Sequence, residues 1–147
     1  MTESASSVVI VDASISLKWA LNDEENAQEA LALRDHGVSG HVHMLAPSLW
    51  FYEVINGLVT AVRRGRISSD QGSDALDRLT EVGVGLTDPD AEDCYRTAVD
   101  YQIAAYDAAY VSLAGTLGAV LWTGDRKLWE AVRSKVGFIK WIGDYPA

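Results

Sequence analysis

Isolated acidic residues in apolar sequence constrain the fold of this chain more than any other feature. Each is the only charged residue of a long segment: Asp12 of residues 4–17, Glu53 of residues 46–62 and Asp107 of residues 101–124. A fourth acid, Asp125, follows the last of these segments directly. An ionised carboxylate in a dry interior is tolerated only when it is paired, hydrogen-bonded or bound to a metal ion. The fold must therefore provide each of these carboxylates with a partner.

Short apolar runs alternate along the chain with helical patterns. Residues 8–11, Val-Val-Ile-Val, predict a strand buried on both faces, and residues 43–46 and 119–122 predict further strands. Strands that alternate with helices are typical of an α/β domain around a parallel sheet. We expect a single α/β domain over residues 8–147, with a central parallel sheet of four to five strands flanked by helices. The small polar residues 1–7 predict a flexible N-terminus.

Residue types that favour helix starts predict where several helices begin. Ser14 or Ser16 is expected to cap the first helix, and Ser48 to open a helix that runs to about residue 64. Asp88-Pro89 predicts a helix with proline at its first position. Asp107 is expected to begin the helix that precedes the strand at residues 119–122.

The charge balance and cysteine content limit the possible functions. The formal net charge of −9 argues against a protein that binds nucleic acid passively through its charge. A nucleic-acid enzyme remains possible, because clustered acids that hold metal ions contribute to this total. The single cysteine, Cys94, gives no internal disulfide and no cysteine metal site. No segment suits a membrane span, so we expect a cytoplasmic protein that does not bind membranes.

The four acids are placed where α/β proteins form their sites. In a parallel sheet, sites lie at the C-terminal ends of strands. Asp12 ends the first predicted strand, and Asp125 follows a later one. Glu53 lies inside the helix after the second strand. We expect the four carboxylates to converge, and without nearby histidine or cysteine they favour Mg²⁺ or Mn²⁺ over zinc.

Each acid also has a purely structural interpretation. Asp12 and Asp107 suit helix N-caps, and Asp125 suits a turn or a cap. Glu53 has no capping role in the middle of an apolar helix, although it could pair with a buried arginine. Four independent structural acids are a less economical explanation than one shared site.

Four sequence motifs resemble those of the PIN domain, and within it the VapC-type toxins of toxin–antitoxin pairs. They are Val-Ile-Val-Asp-Ala-Ser at 9–14, Tyr-Glu-Val-Ile-Asn at 52–56, Tyr-Asp-Ala-Ala-Tyr-Val-Ser-Leu-Ala at 106–114 and Leu-Trp-Thr-Gly-Asp-Arg-Lys-Leu at 121–128. Their order and spacing agree with that family from about residue 8 to residue 145. The third and fourth motifs are the most specific.

The resemblance implies an endoribonuclease that depends on Mg²⁺ or Mn²⁺ and hydrolyses RNA with a metal-activated water. It also implies a homodimer that a VapB-type antitoxin inhibits. By motif position, the family's catalytic and metal-binding acids correspond to Asp12, Glu53, Asp107 and Asp125. Three polar residues, Ser14, Asn56 and Thr123, match positions near those acids.

Two residues that follow Asp12 closely have a possible place at the rim of the site. Lys18 could contact a phosphate there. Trp19 could stack on a base, although a position in the core or at a partner interface is the favoured interpretation.

Two other classes of function are compatible with an acid after the first strand. A phosphoacceptor domain, either a receiver or a phosphatase-like module, is disfavoured because Asp12-Ala-Ser14 lacks the second acid that such a domain needs. A non-catalytic PIN-like module that binds a partner is the main alternative, and the intact set of four acids argues against it.

Overall fold

The computed structural model describes residues 7–147. The strands are β1 (Ser7–Val11), β2 (Val42–Ala46), β3 (Gly85–Leu86), β4 (Val120–Thr123) and β5 (Ile139–Trp141). The helices are α1 (Ala13–Ala20), α2 (Ala27–Val38), α3 (Leu49–Arg63), α4 (Ser69–Glu81), α5 (Ala91–Tyr101), α6 (Ala105–Leu117) and α7 (Arg126–Val132), followed by a 3₁₀ turn at Ile142–Asp144. The expected α/β architecture is confirmed.

The five strands form one parallel sheet in the order β3-β2-β1-β4-β5. β1 is the central strand, and its last three residues, Val9, Ile10 and Val11, are buried. The sheet reverses its winding between β2 and β4, which lie on either side of β1. Such a switch point opens a crevice beyond the C-terminal ends of the strands. The chain segments that follow β1 and β4 therefore meet there.

Within residues 7–147, seven helices flank the sheet, and they differ in how deeply they are buried. Every residue of α6 from Ala108 to Ala114 is buried, as expected for a helix that is apolar on all sides. α5 buries none of its residues and packs mainly against α6 at the surface. A close contact joins α1 to α3, because a β-carbon at Gly57 would lie 2.4 Å from Leu17 Cδ1.

Three predicted helix starts are wrong. Asp12, rather than Ser14 or Ser16, caps α1 through the backbone N–H of Ile15. α6 begins at Ala105, so Asp107 lies within its first turn rather than at its start.

α5 begins at Ala91 with Asp90 as its cap, not at Asp88-Pro89. Asp88 is used elsewhere: its carboxylate accepts hydrogen bonds from the backbone N–H and the hydroxyl of Ser48. These contacts hold the pKa of Asp88 below its usual value. A tertiary contact therefore decides which of two nearby aspartates begins the helix.

The predicted flexible N-terminus lies outside the described residues, apart from Ser7. Ser7 is the first residue of β1 and pairs with Val42. Within residues 7–147, no helix is long and apolar enough to cross a membrane.

Candidate active site

All four isolated acids line one small cavity at the C-terminal edge of the sheet. The cavity has a volume of about 50 Å³, and we call it the acid cavity. Its lining residues are Asp12, Ala13, Ser14, Glu53, Asp107, Tyr110, Asp125 and Leu128. The expected convergence is therefore present in the structure. The topology explains it, because the ends of β1 and β4 are adjacent and α3 and α6 supply the other two acids.

Asp12 is the most deeply buried of the four acids, with 5% of its surface exposed. Its carboxylate accepts hydrogen bonds from the hydroxyls of Ser14 and Thr123 and, at 3.2 Å, from the backbone N–H of Ile15. Burial raises the pKa of Asp12 to about 6, and the charge of Asp125 adds to the increase. The three hydrogen bonds oppose this shift, so they stabilise the ionised carboxylate against its burial.

Two hydroxyls tie the end of β4 to the end of β1. Ser14 Oγ accepts a 2.9 Å hydrogen bond from the Gly124 N–H, and Thr123 Oγ1 accepts a 3.0 Å bond from the Asp125 N–H. Both hydroxyls donate to Asp12. Each hydroxyl therefore connects the Asp12 carboxylate to the backbone of residues 124 and 125, which fixes two acids relative to each other.

Glu53 is positioned by a tyrosine from another helix. The hydroxyl of Tyr110 on α6 donates a 2.6 Å hydrogen bond to Glu53 Oε1. Burial raises the pKa of Glu53, and the charges of Asp107 and Asp125 add to the increase, while the tyrosine hydroxyl opposes it. Burial and the neighbouring carboxylate also raise the pKa of Tyr110, so the tyrosine stays protonated and acts as a donor.

Asp107 and Asp125 differ in how firmly they are held. Asp125 caps α7 and accepts hydrogen bonds from the backbone N–H groups of Lys127 and Leu128 at 3.0 and 3.2 Å. Within residues 7–147, Asp107 is the only one of the four whose carboxylate accepts no hydrogen bond. Burial raises the pKa of Asp107, the charge of Asp125 adds to this, and Lys127 opposes it.

Electrostatic repulsion among the four acids contributes to raised pKa values in the acid cavity. Three of the four carboxylates have raised pKa values, and Asp125 contributes to each of the three shifts. Among the described residues, Lys127 is the only cation whose charge offsets any of these shifts. Among the described residues, no three acidic, histidine or cysteine side chains stand together as the ligands of one metal ion.

Comparison with known proteins places this arrangement in a family. A family model described as PIN domain matches residues 9–134, a span that holds all four acids. The chain belongs to the PIN-domain family. The resemblance inferred from the motifs is thereby confirmed.

Individual relatives of this PIN domain cover most of its length. Ribonuclease VapC3 of Pyrobaculum aerophilum is 32% identical over 126 residues, which are 83% of this chain and 92% of that protein. Exonuclease VapC9 of the same organism is 35% identical over 80 residues, 54% of this chain and 60% of that protein. The crystal structure of PAE2754 from Pyrobaculum aerophilum has a TM-score of 0.66 and 27% identity, and the match covers 90% and 91% of the two chains.

The polar residues predicted near the acids occupy different places in this PIN domain. Ser14 and Thr123 contact Asp12 directly through their hydroxyls. Asn56 lines a wider groove that adjoins the acid cavity, with a volume of about 590 Å³. We call it the aromatic groove, and its lining residues are Ala13, Ser14, Leu17, Leu49, Tyr52, Glu53, Asn56, Gly57, Tyr106 and Asp125.

Lys18 is not among the described residues that line the acid cavity or the aromatic groove, and its contact with a phosphate stays a prediction. Its side chain is buried, and its ammonium donates a 2.6 Å hydrogen bond to the backbone carbonyl of Glu25. Trp19 is buried too, and its indole N–H donates to the Ala30 carbonyl at 2.8 Å. The core interpretation of Trp19 is therefore confirmed.

Sequence reasoning did not find Tyr110, Lys127 or the tight packing of Gly124. Tyr110 lies three residues after Asp107 on α6, a spacing that places both on one helix face and could have signalled it. A β-carbon at Gly124 would lie 2.8 Å from Lys18 Cε and 3.3 Å from Ser14 Oγ. A side chain at residue 124 would therefore force Lys18 to shift.

Proposed function

We propose that this PIN domain is a metal-dependent endoribonuclease and the toxin of a VapBC-type toxin–antitoxin pair. The convergence of Asp12, Glu53, Asp107 and Asp125 on one cavity is the observation that carries the proposal. Relatives of similar length bear the names ribonuclease and VapC, which supports RNA as the substrate class.

The acid cavity fits Mg²⁺ or Mn²⁺ in its donor chemistry and its size. Its polar lining consists of four carboxylates with a serine and a tyrosine hydroxyl, and oxygen ligands are those that hard cations prefer. Mg²⁺ commonly keeps several waters and takes only one or two carboxylates from the protein. A cavity of about 50 Å³ without a closed group of three acidic ligands is compatible with that mode of binding.

The chain's own residues prepare the acid cavity for a phosphate. A bound divalent ion would stabilise negative charge on phosphate oxygens and promote attack by water. Hydroxyls and backbone N–H groups fix Asp12 and Asp125, and Tyr110 fixes one oxygen of Glu53. Asp107, which accepts no hydrogen bond within residues 7–147, keeps both oxygens available.

Asp107→Asn tests the proposal, because it removes a charge from the acid cavity without removing a hydrogen bond. We expect cleavage of single-stranded RNA to fall at least about a hundredfold, by analogy with the loss of other preorganised electrostatic groups. Asp90→Asn is the matched control, since Asp90 caps α5 outside the cavity and asparagine also caps helices. Equal cleavage by the parent and Asp107→Asn would contradict the proposal.

Two measurements test the finer parts of the proposal. EDTA should abolish cleavage, and Mn²⁺ or Mg²⁺ should restore it. A closed circular RNA has no ends, so its cleavage demonstrates endonuclease activity. A circular RNA that stays intact while the linear form is degraded would instead assign exonuclease activity.

The proposed partners are a VapB-type antitoxin and a second copy of the chain. An apolar groove of about 370 Å³ between α3 and α4, lined in part by Ile55, Val59 and Leu76, supports a protein partner. The net charge of −9 favours an antitoxin with a basic segment that covers the acid cavity. Co-expression with the product of an adjacent small reading frame should suppress RNA cleavage. Light scattering of the purified chain should give the mass of a dimer. A monomer by light scattering would refute the homodimer.

A further inference from the structure

We propose that Tyr52, Tyr106 and Asn56 form a subsite for an unpaired RNA base beside the scissile phosphate. The subsite is part of the aromatic groove. This inference rests on the proposed ribonuclease function and adds to it the residues that would hold one base of the substrate.

The two tyrosines are exposed in a way that packing does not explain. Tyr52 is 72% exposed and Tyr106 is 70% exposed, although both are large aromatic residues on helices that pack into the core. Neither hydroxyl makes a hydrogen bond within residues 7–147. The Phe51 ring contacts the Tyr52 ring edge-on, with centroids 5.5 Å apart, which supports the orientation of Tyr52. Both rings are available to a ligand.

Sequence position ties each tyrosine to the acid cavity. Tyr52 directly precedes Glu53 on α3, and Tyr106 directly precedes Asp107 on α6. The aromatic groove and the acid cavity share four lining residues: Ala13, Ser14, Glu53 and Asp125. A nucleotide whose phosphate lies at the acid cavity therefore has its base beside this groove.

The lining of the aromatic groove favours a base over a phosphate. Among the described residues, the lining contains no lysine or arginine, and its only charged residues are Glu53 and Asp125. A phosphate would be repelled there, whereas an uncharged base would bury apolar surface against leucine and tyrosine side chains. Every base has a π-face, so stacking on tyrosine accepts any sequence.

Asn56 adds a group that can hydrogen-bond to a base edge. It lies one helical turn after Tyr52 and on the same face of α3. Its side-chain amide is exposed and makes no hydrogen bond within the described part of the chain. An amide offers both donors and an acceptor, so it can pair with the edge of an unpaired base. A base within a duplex presents neither a free face nor a free Watson–Crick edge, so the subsite selects single-stranded or looped RNA.

The test compares tyrosine variants on single-stranded RNA. Tyr106→Ala and Tyr52→Ala should each raise KM about 5- to 150-fold, the range that the loss of one base–aromatic stack gives, with kcat changed less than about twofold. Tyr106→Phe should keep the parental KM, because stacking needs the ring and not the hydroxyl. Tyr95→Ala is the matched control, since Tyr95 is 68% exposed but lies on α5, outside the groove.

A substrate series locates the base. We expect that an abasic nucleotide at one position beside the cleavage site weakens binding by the parent as much as Tyr106→Ala does. The same substitution should add nothing to the effect of Tyr106→Ala. Additive effects at every position would overturn the subsite.

Further outcomes separate this inference from the proposed function. If the parent cleaves RNA and both alanine variants keep its KM, the subsite is refuted and the ribonuclease is not. If the parent cleaves no RNA, anisotropy of a labelled single-stranded heptamer decides, and unchanged affinity in Tyr106→Ala refutes the subsite. If light scattering shows that Tyr106→Ala changes the oligomeric state, the groove is a contact between copies, which also overturns the proposal.

Discussion

The Asp12→Asn substitution removes the one carboxyl of the acid cavity that lies fully inside the fold. In the folded protein burial raises the pKa of Asp12 from 3.8 to about 6. Between these values the folded chain binds a proton more tightly than the unfolded chain does. The parent should therefore lose stability as the pH rises through this window, because the buried carboxyl has to ionise.

The size of the effect follows from the shift. A change from 3.8 to about 6, at 1.36 kcal/mol per pKa unit, corresponds to about 3 kcal/mol of unfolding free energy. The asparagine variant lacks this titration. Asp12 does not contribute to the raised pKa values of Glu53 and Asp107, so those titrations should cancel between parent and variant. The stability of the variant minus that of the parent should rise by about 3 kcal/mol, mostly between pH 4 and pH 7.

Urea unfolding followed by tryptophan fluorescence measures this difference, and the chain has five tryptophans. The series runs from pH 4 to pH 7.5 with EDTA present. Asparagine changes the hydrogen bonds to Ser14 and Thr123, which offsets the two curves but leaves the pH dependence of their difference. A difference that stays flat within about 0.5 kcal/mol across this range would refute the buried, protonatable Asp12.

Adding Mn²⁺ to the same urea unfolding experiment tests independently whether Asp12 is a metal ligand. At pH 7 an ion bound by the folded state should raise the stability of the parent in proportion to the logarithm of its concentration. The same ion should raise the stability of Asp12→Asn much less. Equal stabilisation of both proteins would exclude Asp12 as a metal ligand.

Three further substitutions test contacts seen in the structure. Tyr110→Phe removes the hydroxyl that holds Glu53 and should weaken Mn²⁺ binding about tenfold by calorimetry, while unchanged affinity would show that Glu53 needs no support. Gly124→Ala forces a β-carbon against Lys18 and should lower the unfolding free energy by about 1–3 kcal/mol, as measured by urea unfolding. An unchanged unfolding free energy would show that the bend accommodates the added methyl group. Lys18→Met leaves the Glu25 carbonyl without its donor and should destabilise the fold by about 1–3 kcal/mol, yet KM for RNA should stay at the parental value. A large rise in KM would support Lys18 as a phosphate contact.

Local patterns predicted the elements of this fold well where the chain alone sets them. The β-branched run at residues 8–11 became the central strand Ser7–Val11, and the apolar helix expected from residue 48 to about residue 64 is α3, Leu49–Arg63. Both depend on periodicity and on side-chain shape. The start of α5 could not be predicted this way, because Asp88 and Asp90 are equivalent by residue type and only the contact of Asp88 with Ser48 separates them.

The side chains of the candidate site also divide into features that local sequence predicts and features that only tertiary contacts decide. The positions of Asp12 and Asp125 after apolar strands predicted an edge of the sheet where acids meet, and the sheet order brings β1 and β4 side by side there. The structure also shows that each of these acids caps a helix while it lines the cavity. For these two acids, a helix-capping role is therefore compatible with a place in the acid cavity.

The sequence by itself determined which acids are isolated in apolar surroundings and that strand ends would carry two of them. These properties follow from the order of residues along the chain. Only the tertiary structure decided how each carboxylate is held and which neighbours belong to the site. The Asp12 carboxylate accepts a hydrogen bond from Thr123, 111 positions away, and Glu53 accepts one from Tyr110, 57 positions away. Contacts at such separations depend on how the helices pack against the sheet, and no local pattern encodes them.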